Sequence, residues 1–239
     1  MSDGPLQVSV VIPVMNEAQN VGPLALEVQA ALAGRSYELI YVDDGSSDGT
    51  ADACQGLPGV RVIRHARNLG QSAATITGIR AAQAATIVTL DGDGQNDPAA
   101  IPSLLAALGD HDAAVGFRVG RQDPLSRKLA SRFAHYVRSL FLRDGIKDVG
   151  CALRAFPREV GLALPAYDGV HRHMPSVLVF LGLRLAQLPT QHRPRTAGVS
   201  KYGNLRRGVR GLFDLLGLLW LRRRLLRVRG ERALPPGPG

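Results

Sequence analysis

Short apolar runs alternate with longer amphipathic stretches through the first half of the chain. Residues 8–13, 37–42, 60–63, 86–90 and 113–117 are rich in β-branched and aliphatic side chains, and each is too short for a helix of ordinary length. They predict five buried strands. Between them, residues 18–33 carry Leu24, Val28 and Leu32 at helical spacing, with Gly34 as a stop. Asp48 or Thr50 can cap a helix after the second strand. An alanine-rich segment over 71–84 and another over 101–108 complete the helices of this half. Strand–helix alternation with short connections predicts an α/β fold: a mostly parallel central sheet with helices on both faces.

The second half has a different texture. Leu125, Leu129, Phe133, Val137 and Leu140 form one stripe of an amphipathic helix over 125–142, with Arg127, Lys128, Arg132 and Arg138 off it. Residues 148–156 return to strand-like texture. His171-Arg172-His173-Met174-Pro175 precedes an expected apolar helix over 176–181, and 185–188 is a short strand. His192 to Tyr202 reads as a basic loop. Residues 205–228 form a second amphipathic stretch, dense in leucine and then arginine, and a Pro/Gly-rich tail closes the sequence. The expected division is a main domain over 1–203, C-terminal amphipathic helix over 204–230 and a flexible tail over 231–239.

Composition narrows the partners. The 239 residues carry a net charge of +9, and all but three of the 29 basic residues (Lys128, Lys147, Lys201) are arginine. Such a balance points to an acidic partner: phosphorylated substrates, an anionic membrane surface or nucleic acid. Nucleic acid is disfavoured, because only 5% of residues are aromatic and no groove-reading or strand-stacking motif occurs. A nicotinamide enzyme is disfavoured too, since no G-x-G-x-x-G follows the first strand. Cys54 and Cys151 have no metal or redox spacing and are expected as free buried thiols. The first residues lack the charged and apolar regions of a signal peptide. The longest apolar candidate, 212–221, contains Asp214 and falls short of the ~20 residues needed to span a bilayer.

The chemistry concentrates in Asp91-Gly92-Asp93-Gly94-Gln95, directly after the fourth expected strand. Side chains two apart on an extended chain share a face, which puts Asp91 and Asp93 together, with Gln95 in reach. Two close carboxylates repel unless a cation lies between them. Oxygen-only ligands suit Mg²⁺ or Mn²⁺, ions that usually also bind substrate phosphates. The plain alternative is a polar turn after a strand, for which Asp, Gly and Asn are ordinary residues. A second acidic pair, Asp43-Asp44, ends the second strand, and that end of an open α/β sheet is where ligands bind.

Four features in order resemble the family 2 glycosyltransferases: Val11-Ile12-Pro13 with Asn16-Glu17, Asp43-Asp44-Gly45-Ser46, Arg67-Asn68-x-Gly70, and Asp91-Gly92-Asp93-x-Gln95. Arg193-x-Arg195 and Ser200-Lys201-Tyr202 resemble the polyprenyl-phosphate, dolichol-phosphate mannosyltransferase-like branch. Gly92 departs from the alanine common in relatives, and the transmembrane helices that many bacterial relatives append are missing from the sequence. The resemblance implies a GT-A type nucleotide-binding domain and a donor that is a GDP- or UDP-sugar. It implies that Pro13, Met15, Glu17, Val42 and Asp44 line the base and ribose pocket. Asp91, Gly92, Arg195 and Lys201 would meet the donor phosphates. Asp91, Asp93 and Gln95 would hold the divalent ion, with Asp93 also a catalytic residue. Arg118, Arg127 and Ser131 match positions that hold an acceptor phosphate.

Acid–base chemistry frames the acceptor. A sugar hydroxyl needs a general base, whereas a phosphate monoester is mostly dianionic at neutral pH and needs only positioning. Asp148 is the expected base for a hydroxyl acceptor, with His171 and His173 as alternatives. The leading expectation is a metal-dependent, inverting transferase acting on a polyprenyl phosphate, peripheral on the cytoplasmic face of a membrane. A membrane-anchoring partner protein or a homodimer would supply any further attachment. A soluble or protein hydroxyl acceptor stays open, as does a catalytically silent sugar-nucleotide or nucleic-acid binding module.

Overall fold

β1 (Val8–Val14) is buried along nearly its whole length, because both of its faces carry apolar side chains against helices. Val8, Val10, Ile12 and Val14 enter one core cluster and Val11 the opposite one. β2 (Tyr37–Asp43) pairs parallel to β1, with Leu39 and Tyr41 on the first face and Ile40 and Val42 on the second. β3 (Val60–Arg64) lies parallel outside β2, and β4 (Thr86–Thr89) lies parallel to β1 on its other side. The computed structural model describes residues 6–57, 59–120, 137–193 and 204–225, without the side chains of 204–210 and 212.

Helix α1 (Val21–Ala31) ends near Gly34, which takes the positive φ foreseen for a stop. α2 (Thr50–Gln55) follows β2, α3 (Gln71–Ala81) follows β3, and a 3₁₀ turn (Pro98–Ala100) leads into α4 (Ile101–Ala107). α1, α2 and α4 cover one face of the sheet, while α3 covers the other. The approach of α3 is close enough that a Cβ on Gly78 would fall 2.3 Å from Val11 Cγ1.

Beyond β5 (Ala113–Val119) come β6 (Arg154–Pro157), α5 (Arg158–Leu162), α6 (Val170–Phe180), β7 (Leu185–Gln191) and α7 (Asn204–Arg224). The sheet order is β3-β2-β1-β4-β6-β5-β7. It is mostly parallel as expected, with β6 inserted antiparallel between β4 and β5. This insertion sends the start of β6 back to the edge where β1, β2, β4 and β5 end. The strand sequence also reverses direction between β1 and β4, and ligands bind outside such a switch point.

Two boundaries depart from expectation. Strand β6 begins at Arg154, so residues 148–153 are a loop rather than strand. α6 begins at Val170 and runs through Pro175, so His171 to Pro175 are helical rather than a preceding loop. Pro175 lies early in the helix, where it removes one backbone bond to the residue four before it, and Met174, Val177 and Leu178 bury fully around it. Residues 121–136 fall outside the description, so most of the expected 125–142 helix does too; residues 137–142 are helical. α7 packs Leu215 and Leu218 onto the α3 face of the sheet. No helix among the described residues is long and apolar enough to cross a membrane.

Candidate active site

The loops after β1 and β2 are stitched to one another. Asn16, at φ 57°, donates its N–H to Ser46 Oγ at 2.9 Å and accepts from the Ser47 N–H at 3.0 Å. The Glu17 N–H donates to Thr50 Oγ1 at 2.9 Å, and the Glu17 carboxylate accepts from Asn20. Asp44 is 3% exposed, and both its oxygens are engaged. They accept from the Leu69 and Gly70 N–H groups at 2.9 and 2.8 Å, and His65 Nδ1 lies 2.8 Å away. Asp44 therefore holds the Arg67-to-Gly70 loop in place. Gly45, at φ +74°, lets that loop approach, since a Cβ there would lie 2.6 Å from the Arg67 carbonyl carbon. Val42 is fully buried beside Gly78, so its side chain belongs to the core and not to a pocket wall. Pro13, Met15 and Glu17 are half-buried at the cleft side of this loop pair.

Asp43, next to Asp44, has an oxygen of a different kind. Its Oδ1 accepts from the Ser46 N–H at 3.0 Å. Its Oδ2 is buried and makes no hydrogen bond, with Arg64 Nε 3.2 Å away as charge partner. Asp43 belongs to the same acidic motif as Asp44.

The Asp91 turn is fixed from three sides. The Asp91 N–H donates to Asn96 Oδ1 at 3.1 Å, which closes the loop upon itself. Gln71 Nε2 donates to Asp91 Oδ1 at 2.7 Å from the start of α3. The Gln95 N–H donates to Asp93 Oδ1 at 3.1 Å. Arg193, just past β7, then straps the turn: its N–H donates to Gln95 O, and its guanidinium pairs with Glu27 at 2.6 Å and Asp97 at 2.8 Å. The basic segment thus starts beside Gln95, although Arg195 and Lys201 lie outside the described residues.

Burial, and then the charge of Asp93, push the Asp91 carboxyl up to about 6. A cation between the two carboxylates would reverse that shift. The donors fit a hard divalent ion: Asp91 and Asp93 supply carboxylates, and Gln95 gives its Nε2 to Arg193 O and keeps its amide oxygen as an acceptor. Among the described residues no three His, Cys, Asp or Glu groups converge on one point, so substrate or water oxygens would have to complete the shell.

Arg118 and Asp148 meet as a bidentate pair. Arg118 Nε and Nη2 donate to the two carboxylate oxygens at 2.7 and 2.9 Å, and the Arg118 and Gly150 N–H groups add two more bonds. Burial alone would raise the Asp148 carboxyl, but the Arg118 hydrogen bonds and charge outweigh it and hold it below the ordinary range. His171 is driven down to about 3 by burial and then by Arg172 and Arg154. His173 falls to about 4, again through burial first, with Asp214 opposing. Arg127 and Ser131 lie outside the described residues.

A cavity of about 140 Å³ opens beside Asp91, between the end of β4 and the start of α6. Gln71, Gly150, Arg154 and His171 are among its walls. Arg154 and Gln71 were not singled out from the sequence.

A sheet of this order with an acidic turn at the end of β4 defines a GT-A-like α/β fold. Residues 9–161 match the profile of Glycosyl transferase family 2. Dodecaprenyl-phosphate galacturonate synthase of Rhizobium johnstonii is 36% identical over 230 residues, spanning 91% of this chain and 68% of that protein. Undecaprenyl-phosphate 4-deoxy-4-formamido-L-arabinose transferase of Edwardsiella ictaluri is 34% identical over 220 residues, spanning 89% and 67%. Glucosyl-3-phosphoglycerate synthase from Mycobacterium tuberculosis, solved with Mn²⁺, UDP and glucosyl-3-phosphoglycerate, superposes with a TM-score of 0.71 at 20% identity, covering 91% of this chain and 80% of that one. The chain belongs to glycosyl transferase family 2, an enzyme family of sugar transferases, and is related to its polyprenyl-phosphate sugar transferases.

The raised Asp91 carboxyl has a consequence for stability. Its folded value of about 6 lies above the ordinary 3.8, so the folded chain binds this proton more tightly than the unfolded one. The resulting stabilisation is complete below about pH 4 and is lost as pH rises through about 6. In EDTA, Asp91→Asn should remove part of the fall in thermal midpoint between pH 4 and 7. An identical slope in the variant would disprove the assignment.

Proposed function

We propose that this chain transfers a sugar from a nucleotide-diphosphate donor to a polyprenyl phosphate at a membrane surface. A Mg²⁺ or Mn²⁺ ion on Asp91, Asp93 and Gln95 would neutralise the donor diphosphate and stabilise it as a leaving group. Support comes from the Asp91–Asp93 repulsion in the turn and from the Mn²⁺ and UDP bound by the structurally similar glucosyl-3-phosphoglycerate synthase.

The observation that carries the acceptor class is the state of the three expected bases. Asp148 is committed to Arg118 with a depressed pKa, and His171 and His173 are too weakly basic to take a proton efficiently near neutrality. An acceptor that arrives as a phosphate dianion needs none of them. Asp148 then acts as a positioning residue, fixing the Arg118 guanidinium for the acceptor phosphate. The names of the related enzymes point to the same lipid-phosphate class. Those names carry two different sugars, a galacturonate and a formamido-arabinose.

The outer face of α7 suits a membrane. Phe213 and Trp220 are 69% and 63% exposed, with Leu216 between them on the same face. Arg222, Arg223 and Arg224 follow in the last turn. Arg222 Nη1 donates to Leu142 O, which brings the exposed Leu140 and Phe141 close to that end. Leucines 215 and 218 face the protein core, so the membrane-facing face is narrower than the sequence suggested. A helix lying in the interface would insert these apolar side chains and set the arginines among anionic headgroups.

Stripping divalent ions should abolish transfer, and Asp93→Ala should lose at least ~100-fold in rate, on the order of 3 kcal/mol. Full activity after stripping would remove the metal role. Asp148→Asn should raise the acceptor KM by roughly 10–100-fold through a misplaced Arg118, with a smaller change in kcat; a collapse of kcat with KM unchanged, together with loss of the acidic limb of the pH profile, would restore Asp148 as a base. Vesicles rich in anionic lipid should carry the protein in flotation, and less of it at high salt. Absence of binding at low salt by folded protein would favour a soluble acceptor.

A further inference from the structure

Arg154 opens β6 directly opposite Thr89, two residues before Asp91, because β6 runs antiparallel to β4. It is 2% exposed. Nη2 lies 3.4 Å from Val149 O and Nη1 3.9 Å from Met174 Sδ, both at the outer limit of a hydrogen bond. Nε is buried with no partner at all. Two neighbouring arginines are already paired, Arg118 with Asp148 and Arg172 with Asp214 at 3.2 Å. No carboxylate among the described residues forms an ion pair with Arg154. A guanidinium keeps its charge even where burial lowers its pKa, as it does here. A buried, unpaired charge is costly to fold, and folds retain one where a ligand supplies the counter-ion.

The surroundings specify the ligand further. Arg154 lines the cavity beside Asp91 together with Gln71, Thr75 and His171. Ser72 Oγ accepts from the Gly169 N–H at 2.8 Å and lies 2.6 Å from His171 Nδ1. A neutral imidazole has one donor and one acceptor nitrogen, and the Ser72 contact engages Nδ1 in either role. Amide, hydroxyl and imidazole groups suit sugar hydroxyls, and one planar guanidinium matches one planar carboxylate.

We propose that Arg154 is the recognition residue for an anionic oxygen group of a substrate, and that the transferred sugar carries it, as the carboxylate of a hexuronosyl donor. This rests on the proposed transferase function, with the cavity beside Asp91 taken as its sugar site. The same guanidinium chemistry would also hold the acceptor phosphate, and the test separates the two sources.

Wild type, Arg154→Met and Arg154→Lys are assayed with UDP-galacturonate and UDP-glucuronate against UDP-galactose and UDP-glucose, with short-chain polyprenyl phosphate as acceptor. Wild type should prefer a uronosyl donor by about 10–100-fold in kcat/KM. Arg154→Met should erase that preference through the donor KM, with Arg154→Lys intermediate, and its thermal midpoint should not fall. If Arg154→Met instead raises the polyprenyl phosphate KM equally with charged and neutral donors, the anion is the acceptor's and the hexuronosyl assignment is overturned. Unchanged donor and acceptor KM values would overturn the anion site altogether. Should Arg154→Met fail to fold, a wild-type preference for neutral donors overturns the hexuronosyl assignment. A binding arm needs no turnover: galacturonate and inorganic phosphate are titrated calorimetrically into wild type and the Arg154 variants. Binding lost with the arginine supports the site even if no donor is turned over, an outcome that would sink the transferase reading alone. Equal or absent binding of both probes overturns it.

Discussion

Gly92 is wedged against the end of β1, and the geometry of the site depends on that contact. A Cβ at this position would lie 2.4 Å from Val14 Cγ1 and 3.0 Å from the Pro13 carbonyl oxygen. Neither neighbour is the free end of a long side chain, so even alanine would push the turn away from the sheet. With glycine, the turn lies flat on β1, and its two flanking carboxylates share the strand-end edge. The Asn96 side chain and the Arg193 strap hold the turn from the other side. Packing and these hydrogen bonds hold the turn that carries Asp91 and Asp93, and the charge of Asp93 adds to burial in raising the Asp91 carboxyl. In this fold the glycine at position 92, where relatives commonly carry alanine, is a tight steric fit.

The same edge collects charge from strands that are distant in sequence. β4, β5 and the reversed β6 deliver Asp91, Arg118 and Arg154 to one side of the sheet, and α6 adds Arg172. Each charge is then placed by its partner or lack of one. Arg118 is neutralised by Asp148, Arg172 by Asp214 and Arg193 by Glu27 and Asp97. Asp91 and Arg154 are left with opposite signs and incomplete partners, on the walls of one cavity. In a medium of reduced polarity such groups interact strongly with whatever enters. A substrate with a cation-binding diphosphate and a separate anionic group would complete both.

Much of this was legible in the sequence, and the limits have physical causes. β-branched runs predicted the first five strands because burial on both faces demands continuous apolar character. The acidic turn stood out because its two carboxylates follow a buried strand, although Asp, Gly and Asn are also ordinary turn residues. Non-local pairing was not legible. Nothing in residues 148–157 says that β6 runs antiparallel between β4 and β5, and without that reversal Arg154 is one arginine among 26. Asp148 looked like a free base because its partner Arg118 is 30 positions away. Asp44 looked like a pocket wall, yet its carboxylate serves the backbone of the Leu69-Gly70 loop. Pro175 argued for a helix start, but a proline early in a helix costs one hydrogen bond and the apolar packing of α6 exceeds that.

The state of the candidate bases and the outer face of α7 bear on the same question. An enzyme that deprotonates a hydroxyl must keep a base poised near the working pH, and burial and cationic neighbours have moved His171 and His173 far below it. Of those cations, Arg154 forms no ion pair with a carboxylate among the described residues, and a phosphate or carboxylate would supply one. The environment that spoils base catalysis therefore favours anion binding; one arrangement cannot serve both well. At the surface, α7 turns one apolar face into the core and leaves Phe213, Leu216 and Trp220 uncovered beside three arginines. A soluble acceptor gives no reason to retain such a face, while a lipid phosphate brings both an interface for the helix and a charge for the cleft. The two features meet at Asp214, which α7 carries to Arg172 and His173, and under the proposed function a lipid-linked anionic acceptor would account for both.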